Sequence, residues 1–154
     1  MPLQFRNVDA TPDDDVRTWP FEALVTAIDR GLVPDWRPIF AEIRRSPWGS
    51  VARRVERVVA MRGHDGVGAL FRLAVDRARD NADRSDREEV ATRVRDAVKR
   101  SGLTKARFAE HVGTSASRLS TYLSGKVTPS AAMLLRIERA AEPSTRVFSG
   151  ADRR

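Results

Sequence analysis

The sequence predicts an all-α protein, with an N-terminal helical domain followed by a second helical domain. Apolar residues recur at spacings of three and four along most of the chain, which is the periodicity of a helix with one buried face. No run alternates apolar and polar residues between hairpin turns, so no strand is predicted. With 154 residues, 41% apolar and 32% charged, the chain has the composition of a globular protein and the length for one ordinary domain or two small ones.

Three helices are predicted in the N-terminal part, each with a start or stop signal in the sequence. These signals are Thr18 and Gly31 for the first helix, Asp35 for the second, and Ser46-Pro47 and Gly63 for the third. Their apolar faces are Phe21, Leu24, Val25 and Ile28; Trp36, Ile39, Phe40 and Ile43; and Val51, Val55, Val58 and Val59. The residues before them, 1–17, include three consecutive aspartates at 13–15, and we expect a flexible acidic tail there.

The boundary between the two domains is predicted from a loss of apolar residues. Residues 66–82 have apolar positions at helical spacing, but between residues 77 and 87 arginines and aspartates replace them. Ser85-Asp86-Arg87-Glu88 fits a capping box, which favours a new helix near residue 86. We therefore predict a break near residues 82–85, with domains at 18–85 and 86–141. The alternative is one helix from about residue 67 to 101, polar all round where it connects the domains.

The C-terminal part predicts four helices with tight turns between them. The first carries an apolar stripe that begins at Val90 and ends before Gly102. The caps and turns that follow are Thr104 before helix 105–112, Gly113 after it, Ser115 before the next helix, Gly125 after that one, and Pro129-Ser130 before the last. The inward positions are Phe108, Ala109, Val112, Leu119, Tyr122, Leu123, Ala132, Leu134, Leu135, Ile137 and Ala140. Residues 142–154 are expected to form a flexible tail.

Positive charge is concentrated in the second half of the chain. The net charge is +7, of which residues 1–85 contribute +1 and residues 86–154 contribute +6. Such an excess is typical of proteins that bind a polyanion, because neutralised phosphates release condensed counterions. A solvated basic surface is the alternative.

Two short helices joined by a glycine turn form a helix-turn-helix. The segment LTKARFAEHVGTSASRLSTYLSGKVTPS resembles the DNA-binding domains of phage Cro and repressor proteins and of their bacterial relatives, the Xre-type regulators. The resemblance covers about residues 88–141 and depends on Ala109, Gly113, Leu119 and the residues SGK followed by PS. The arginine-rich, lysine-poor composition indicates a GC-rich genome, and the sequence as a whole resembles actinobacterial regulators.

The resemblance implies that helix 115–124 lies in the major groove of double-stranded DNA. The residues expected at the DNA are Thr114, Ser115, Ala116, Ser117, Arg118, Thr121 and Tyr122, with Lys105 and Lys126 as phosphate contacts. This helix has no glutamine or asparagine, the residues that bind adenine through two hydrogen bonds, so we expect DNA shape to contribute to recognition.

These observations lead to three functional hypotheses. The first is a dimeric, sequence-specific transcriptional repressor. The second is an antitoxin whose N-terminal helices neutralise a toxin protein while its DNA-binding domain represses the operon. The third is a nucleoid-associated protein with little sequence preference.

An enzyme, a cofactor and a metal site are not predicted. Cysteine is absent, His64 and His111 are far apart in the sequence, and there is neither a phosphate-binding glycine loop nor a serine elbow. No signal peptide or membrane span is predicted, so we expect a cytoplasmic protein.

Two further features of the N-terminal part have plain structural explanations. We expect Trp36 and Trp48 to pack between helices. The arginines at positions 44, 45, 53, 54 and 57 predict a solvated helix face, with a second nucleic-acid surface as the alternative.

Overall fold

A computed structural model describes residues 2–142, and over this range the protein is entirely helical, as predicted. The helices are α1 (Phe21–Arg30), α2 (Val33–Arg45), α3 (Ser50–Arg62), α4 (Gly66–Ser101), α5 (Lys105–Val112), α6 (Ala116–Leu123) and α7 (Ala131–Ala140). The chain divides into two compact units, Met1–Asp83 and Arg84–Arg154, each with its own apolar core. None of the helices in the described range is long and apolar enough to cross a membrane. The tail predicted for 142–154 lies, from residue 143 onward, outside the described residues.

The first unit packs α1, α2, α3 and the first part of α4 around aromatic rings. The Trp36 ring meets Phe71 edge-on at 5.4 Å, and Phe40 stacks on the same ring at 4.8 Å. Trp36 Nε1 also donates a hydrogen bond of 2.8 Å to the carbonyl of Ala27, which joins α2 to α1. Burying these rings supplies much of the apolar contact in this core, because each aromatic side chain removes a large area from water.

The N-terminal segment packs against this core, which corrects the tail predicted for residues 1–17. Leu3, Phe5 and Val8 lie against the core, and the Phe5 ring meets Trp19 edge-on at 4.9 Å. Trp19 Nε1 donates a 3.0 Å hydrogen bond to the carbonyl of Asp14. The acidic run indicated a solvated segment, but the apolar residues before it cover part of the core.

Three predicted helix starts shift by a few residues. The first helix begins at Phe21, and Thr18, its predicted start signal, instead donates its hydroxyl to the carbonyl of Asp15 at 2.7 Å. The second helix begins at Val33 rather than Asp35, because the Asp35 carboxylate accepts a hydrogen bond of 2.7 Å from the backbone N–H of Leu32. The third begins at Ser50, after a turn over residues 46–49. That turn leaves the Trp48 side chain 49% exposed, so the core role predicted for this residue is wrong, whereas Trp36 is buried as predicted.

The arginines of α2 and α3 are used in part to hold the first unit together. The contacts are Arg45 with Glu42 at 2.6 Å, Arg54 with the carbonyl of Trp19, and Arg57 over the Phe21 ring at 4.9 Å. These contacts favour the interpretation that the arginines form a solvated helix face, rather than a second nucleic-acid surface.

The helix break predicted near residues 82–85 is wrong, because α4 continues from Gly66 to Ser101, as in the alternative of one long helix. The two compact units nevertheless divide within this helix, between Asp83 and Arg84. Residues 83–89 are all exposed, so this stretch is a helix without a buried face. Ser85 therefore lies within a helix rather than before one. The helix persists because residues 69–101 contain neither glycine nor proline, and ion pairs such as Glu89–Arg93 at 3.1 Å lie one turn apart.

The second unit packs α5, α6, α7 and the end of α4 around a smaller core. Its buried residues are Val94, Ala97, Phe108, Ala109, Val112, Leu119, Tyr122, Ile137 and Ala141. Two positions of the last helix that were predicted to face inward do not, since Ala132 is exposed and Leu135 is 49% exposed. The short helix buries mainly Ile137, and these two side chains lie away from that position.

Candidate nucleic-acid interface

The turn between α5 and α6 has the geometry that its sequence predicts. Thr104 and Ser115 cap the two helices, their hydroxyls accepting hydrogen bonds from backbone N–H groups at 3.4 and 3.1 Å. Gly113 adopts the left-handed conformation, with φ at 77°, which a glycine reaches without steric cost. Ala109 is buried, and its small side chain allows α5 and α6 to pack closely.

The outer face of α6 consists of small side chains. Leu119 and Tyr122 are its buried residues. The positions that share the opposite face, by their helical spacing, are Ala116, Ser117, Ser120, Thr121 and Ser124. No acidic residue occurs on this helix. A surface of this kind can approach another molecule closely without charge repulsion toward a polyanion.

Three of the hydroxyls on this face donate to the helix backbone. Ser120 Oγ donates to the carbonyl of Ala116 at 3.0 Å, Thr121 Oγ1 to that of Arg118 at 2.7 Å, and Ser124 Oγ to that of Thr121 at 3.1 Å. A hydroxyl used in this way still presents its oxygen as an acceptor.

Ser117 differs from the other three hydroxyl residues. It is exposed, and its hydroxyl has no partner within the described part of the chain. Ser117 can therefore act as donor or acceptor without breaking a contact.

Arg118 is held by Tyr122. Its Nε donates a 3.0 Å hydrogen bond to the Tyr122 hydroxyl, while the Tyr122 ring is buried in the core. The DNA contact that the resemblance implies for Tyr122 remains a prediction, and the Tyr122 ring itself packs inward, as the helical spacing predicts. Its hydroxyl instead orients an exposed guanidinium beside the outer face of α6.

The two predicted phosphate contacts lie next to α6. Lys105, at the start of α5, has its Nζ 3.2 Å from Ser120 Oγ. Lys126 follows α6, and its backbone N–H donates to Ser124 Oγ at 3.4 Å. Both lysines are exposed, and neither has a carboxylate partner in the described range. Ser120 was missed as a site residue because its role depends on this contact between two helices.

The remaining predicted residues lie at the start of α6. Ser115 and Ala116 are exposed and Thr114 is half-buried. The structure therefore brings all the predicted residues except Tyr122 to one surface, or to its edge.

Arg95 is a further residue that the sequence did not single out. Its guanidinium donates to the carbonyl of Leu123 at 2.8 Å and to Glu88 at 2.6 Å. It therefore holds the C-terminal end of α6 against α4. An arginine near a helix C-terminus commonly binds its free carbonyls, but the sequence could not show that this end of α6 meets α4.

Comparison with protein families supports the assignment of the second unit. Residues 89–142 match the family model described as a helix-turn-helix domain. This part of the chain is a helix-turn-helix domain. The match begins inside α4 and ends two residues after α7, so it includes the whole surface described above. No curated protein and no solved structure matches the chain.

The helix-turn-helix domain carries many cations that are not neutralised by a carboxylate. Within the described residues of this domain, Arg93 and Arg95 form ion pairs with glutamates. The cations for which the same residues provide no carboxylate partner are Lys99, Arg100, Lys105, Arg107, Arg118, Lys126, Arg136 and Arg139. The positive potential of this domain is therefore available to a partner.

Proposed function

We propose that the protein is a dimeric, sequence-specific transcriptional repressor of the Xre/Cro type, which places α6 in the major groove of double-stranded DNA. The observation that carries this proposal is the outer face of α6, which has small side chains and no acidic residue and is contacted by Lys105 and by Lys126. A helix enters the major groove when its side chains can reach base edges and its flanks can bind phosphates.

The residues have different roles in this proposal. Ser117 and Thr121 contact base edges, Ala116 contacts a thymine methyl group, and the lysines bind phosphates. Arg118, oriented by Tyr122, binds either a guanine or a phosphate. Thr114 and Ser115, which lie just before the first residue of α6, contact the DNA backbone. Because three hydroxyls already bond to the helix, DNA shape contributes to selectivity beside these contacts.

Dimerisation follows from the spacing of DNA half-sites. Two half-sites on one face of DNA lie about 34 Å apart, and one helix-turn-helix domain occupies one of them. We therefore propose that two copies bind together and that residues 18–82 supply the contacts between them.

The antitoxin hypothesis is supported by a different observation. The first unit exposes several large apolar side chains, namely Leu32, Val33, Trp48, Met61, Leu70 and Leu73. Exposed large apolar side chains are typical of a protein contact surface where they form a contiguous patch. In this hypothesis a toxin protein binds to these side chains of the first unit, while the helix-turn-helix domain binds the operon DNA.

Selection from random double-stranded DNA tests the proposal. The wild type should select a defined site. The Ser117→Ala, Thr121→Ala double variant should lose about 1–3 kcal/mol per contact on that site and little on other DNA, because neither side chain is charged. A folded double variant that selects the same site equally well would show that α6 does not contact bases. Ala109→Leu is the control for folding, since it overpacks the contact between α5 and α6 and costs about 1–3 kcal/mol of stability.

A further inference from the structure

A groove runs between α2 and the first part of α4 on the first unit. Phe40 of α2 stacks on Phe71 of α4, and Trp36, one turn earlier on α2, meets the same ring. Farther along both helices a cleft of about 230 Å³ opens, lined by Phe40, Arg44, Ala74, Arg77, Ala78 and Asn81. Since later residues of α2 meet later residues of α4, the two helices run in the same direction along this α2/α4 groove.

The residues beside the groove repeat in the same way on both helices. The cleft is lined by Phe40 and Arg44 on α2 and by Ala74, Arg77 and Asn81 on α4. Helical spacing places Val33 and Arg37 on the same face of α2, and Leu70 on the same face of α4. Each set follows the spacing i, i+4, i+7, i+11, which places its members along one face of a helix. The groove therefore has one end formed by early residues and another formed by late ones.

The early end is apolar and exposed. Val33 is 61% exposed, Leu70 is 42% exposed, and Leu73, one turn further on α4, is 45% exposed. The half-buried Phe40 ring continues this apolar surface toward the middle of the groove. Large apolar side chains grouped in this way lose contact with water when a protein partner covers them.

The late end is cationic. Arg44 and Arg77 are exposed, and the described residues provide no carboxylate partner for either of them. Arg37, between Val33 and Phe40, is also exposed and also lacks one. Other arginines of the unit do have a carboxylate partner, as Arg79 has in Glu56 at 2.6 Å. The groove thus combines an apolar end with guanidinium groups that have unused donors.

We propose that the α2/α4 groove binds an amphipathic helix of a partner protein, which places apolar side chains at Val33 and Leu70 and carboxylates at Arg44 and Arg77. The eleven-residue span of each stripe corresponds to about 16 Å, the length of three helical turns. A helix in a groove uses apolar anchors at such spacings, and arginine binds carboxylates through paired hydrogen bonds. This inference takes up the hypothesis of a protein partner for the first unit and does not depend on DNA binding by α6.

Charge distinguishes this partner from a second copy of the chain. A two-fold contact through the groove repeats the same residues on both sides. It sets Arg44 and Arg77 either against the apolar end of the other copy or against the same arginines, and in both cases the guanidiniums are covered without a carboxylate. DNA is also a poorer occupant, because a phosphate backbone offers nothing apolar to Val33 and Leu70.

The experiment uses helical peptides of about four turns, displayed as a random library and selected against the full-length protein. Binding of the selected peptides is then measured by fluorescence polarisation. The selected peptides should carry apolar residues at helical spacing and a cluster of aspartate or glutamate. The Arg44→Glu, Arg77→Glu variant should bind them about tenfold less tightly, because charged hydrogen bonds are replaced by repulsion. The same peptides with lysine in place of the acids should bind this variant better than they bind the wild type.

Matched variants separate the groove from the rest of the surface. Arg30→Glu, Arg53→Glu makes the same change in charge on exposed arginines outside the groove, and it should leave peptide binding unchanged. Leu70→Asp should weaken binding, whereas Leu135→Asp, at a similarly exposed position in the other unit, should not. Circular dichroism establishes that each variant is folded.

Several results overturn the proposal. One is a selection that yields no peptide, and another is a set of selected peptides that carry no carboxylates. A third is that the groove variants and the control variants bind the selected peptides equally well. A change in mass of the Arg44→Glu, Arg77→Glu variant by light scattering assigns the groove to a second copy instead, and a loss of DNA affinity assigns it to nucleic acid. DNA binding is measured separately in the same preparations. The peptide result can therefore be interpreted even if the protein does not bind DNA as the repressor proposal expects.

Discussion

Side chains on α6 divide into those already satisfied by the protein and those that remain available. Ser120, Thr121 and Ser124 donate to the helix backbone, whereas Ser117 has no such contact in the described structure. A base contact in which Ser117 donates therefore costs no internal hydrogen bond, and the other hydroxyls serve best as acceptors. This difference makes Ser117 the strongest candidate for direct readout.

Replacing either Lys105 or Lys126 by alanine should weaken binding to all DNA sequences alike. Each lysine lacks a carboxylate partner among the described residues, so its charge is free to displace a counterion from a phosphate. The slope of log affinity against log salt should fall by about one unit for each variant. Lys99→Ala, an exposed lysine on α4, is the matched control and should leave the slope unchanged. An unchanged slope in both test variants would remove the lysines from the interface.

Tyr122→Phe should act on DNA binding through Arg118. The change keeps the buried ring but removes the hydroxyl that accepts from Arg118 Nε at 3.0 Å, so stability should fall by only about 0.5–1.5 kcal/mol. DNA affinity, measured by fluorescence anisotropy, should fall in the wild-type background and hardly at all in an Arg118→Ala background. An equal loss in both backgrounds would show that Tyr122 does not orient this arginine.

At the scale of the helices, similar sequence signals lead to different outcomes at residues 85 and 115. Both serines precede a residue pattern that favours a helix start, but only Ser115 follows a glycine turn. Ser85 has helix-forming residues on both sides, so the backbone continues through it. A capping box therefore starts a helix only where the preceding residues stop one.

Ser85→Ala should leave stability unchanged or raise it by about 0.5 kcal/mol, because alanine is the better residue inside a helix. Ser115→Ala should cost about 0.5–2 kcal/mol, because the N–H of Arg118 loses the acceptor on the Ser115 side chain. Urea unfolding followed by circular dichroism measures both changes. A loss of about 1 kcal/mol for Ser85→Ala would indicate that a helix starts at residue 86 in solution.

The start of α4 makes the first unit sensitive to acid. Hydrogen bonds from Arg62 and from the N–H of Gly68 hold the pKa of Asp65 below its ordinary value of 3.8. Because the folded-state pKa is the lower one, this contribution to stability is complete above the ordinary pKa and is lost as pH falls through the folded-state pKa. Asp65→Asn should therefore lower the thermal midpoint at pH 6, with a difference that shrinks below pH 4. A difference that stays constant with pH would show that the charge of Asp65 is not involved.

At the scale of the whole molecule, the second unit was the more predictable part. Its helix ends depend on local signals such as Thr104, Gly113 and Ser115, and each has the predicted conformation. The helical spacing of the apolar residues in α6 also predicts which side chains lie on its outer face. The Tyr122 ring packs inward as the spacing predicts, but the hydrogen bond from Arg118 to its hydroxyl was not predicted, because periodicity reports only the direction of a side chain.

The first unit was less predictable because its decisive contacts join distant residues. Phe5 packs on Trp19, and Arg54 donates to the Trp19 carbonyl from 35 positions away. No local sequence pattern contains such pairs. The sequence therefore predicts a tail for the N-terminal segment and a core position for Trp48, and both predictions are wrong. The α2/α4 groove also depends on contacts between separate helices, and the sequence showed only its individual arginines and leucines.

The proposal of a dimer leads to a prediction for the full-length chain. Light scattering should give about 34 kDa, twice the mass of 17.2 kDa, at concentrations at which the protein binds specific DNA. Met61→Asp in the first unit should reduce this mass and lower the affinity for a two-half-site DNA, because Met61 is the most exposed large apolar side chain of the described residues. Leu135→Asp is the matched change on the helix-turn-helix domain and should leave the dimer intact. If Leu135→Asp dissociates the dimer and Met61→Asp does not, the contacts between copies lie in the second unit, and the first unit is free to bind a different protein.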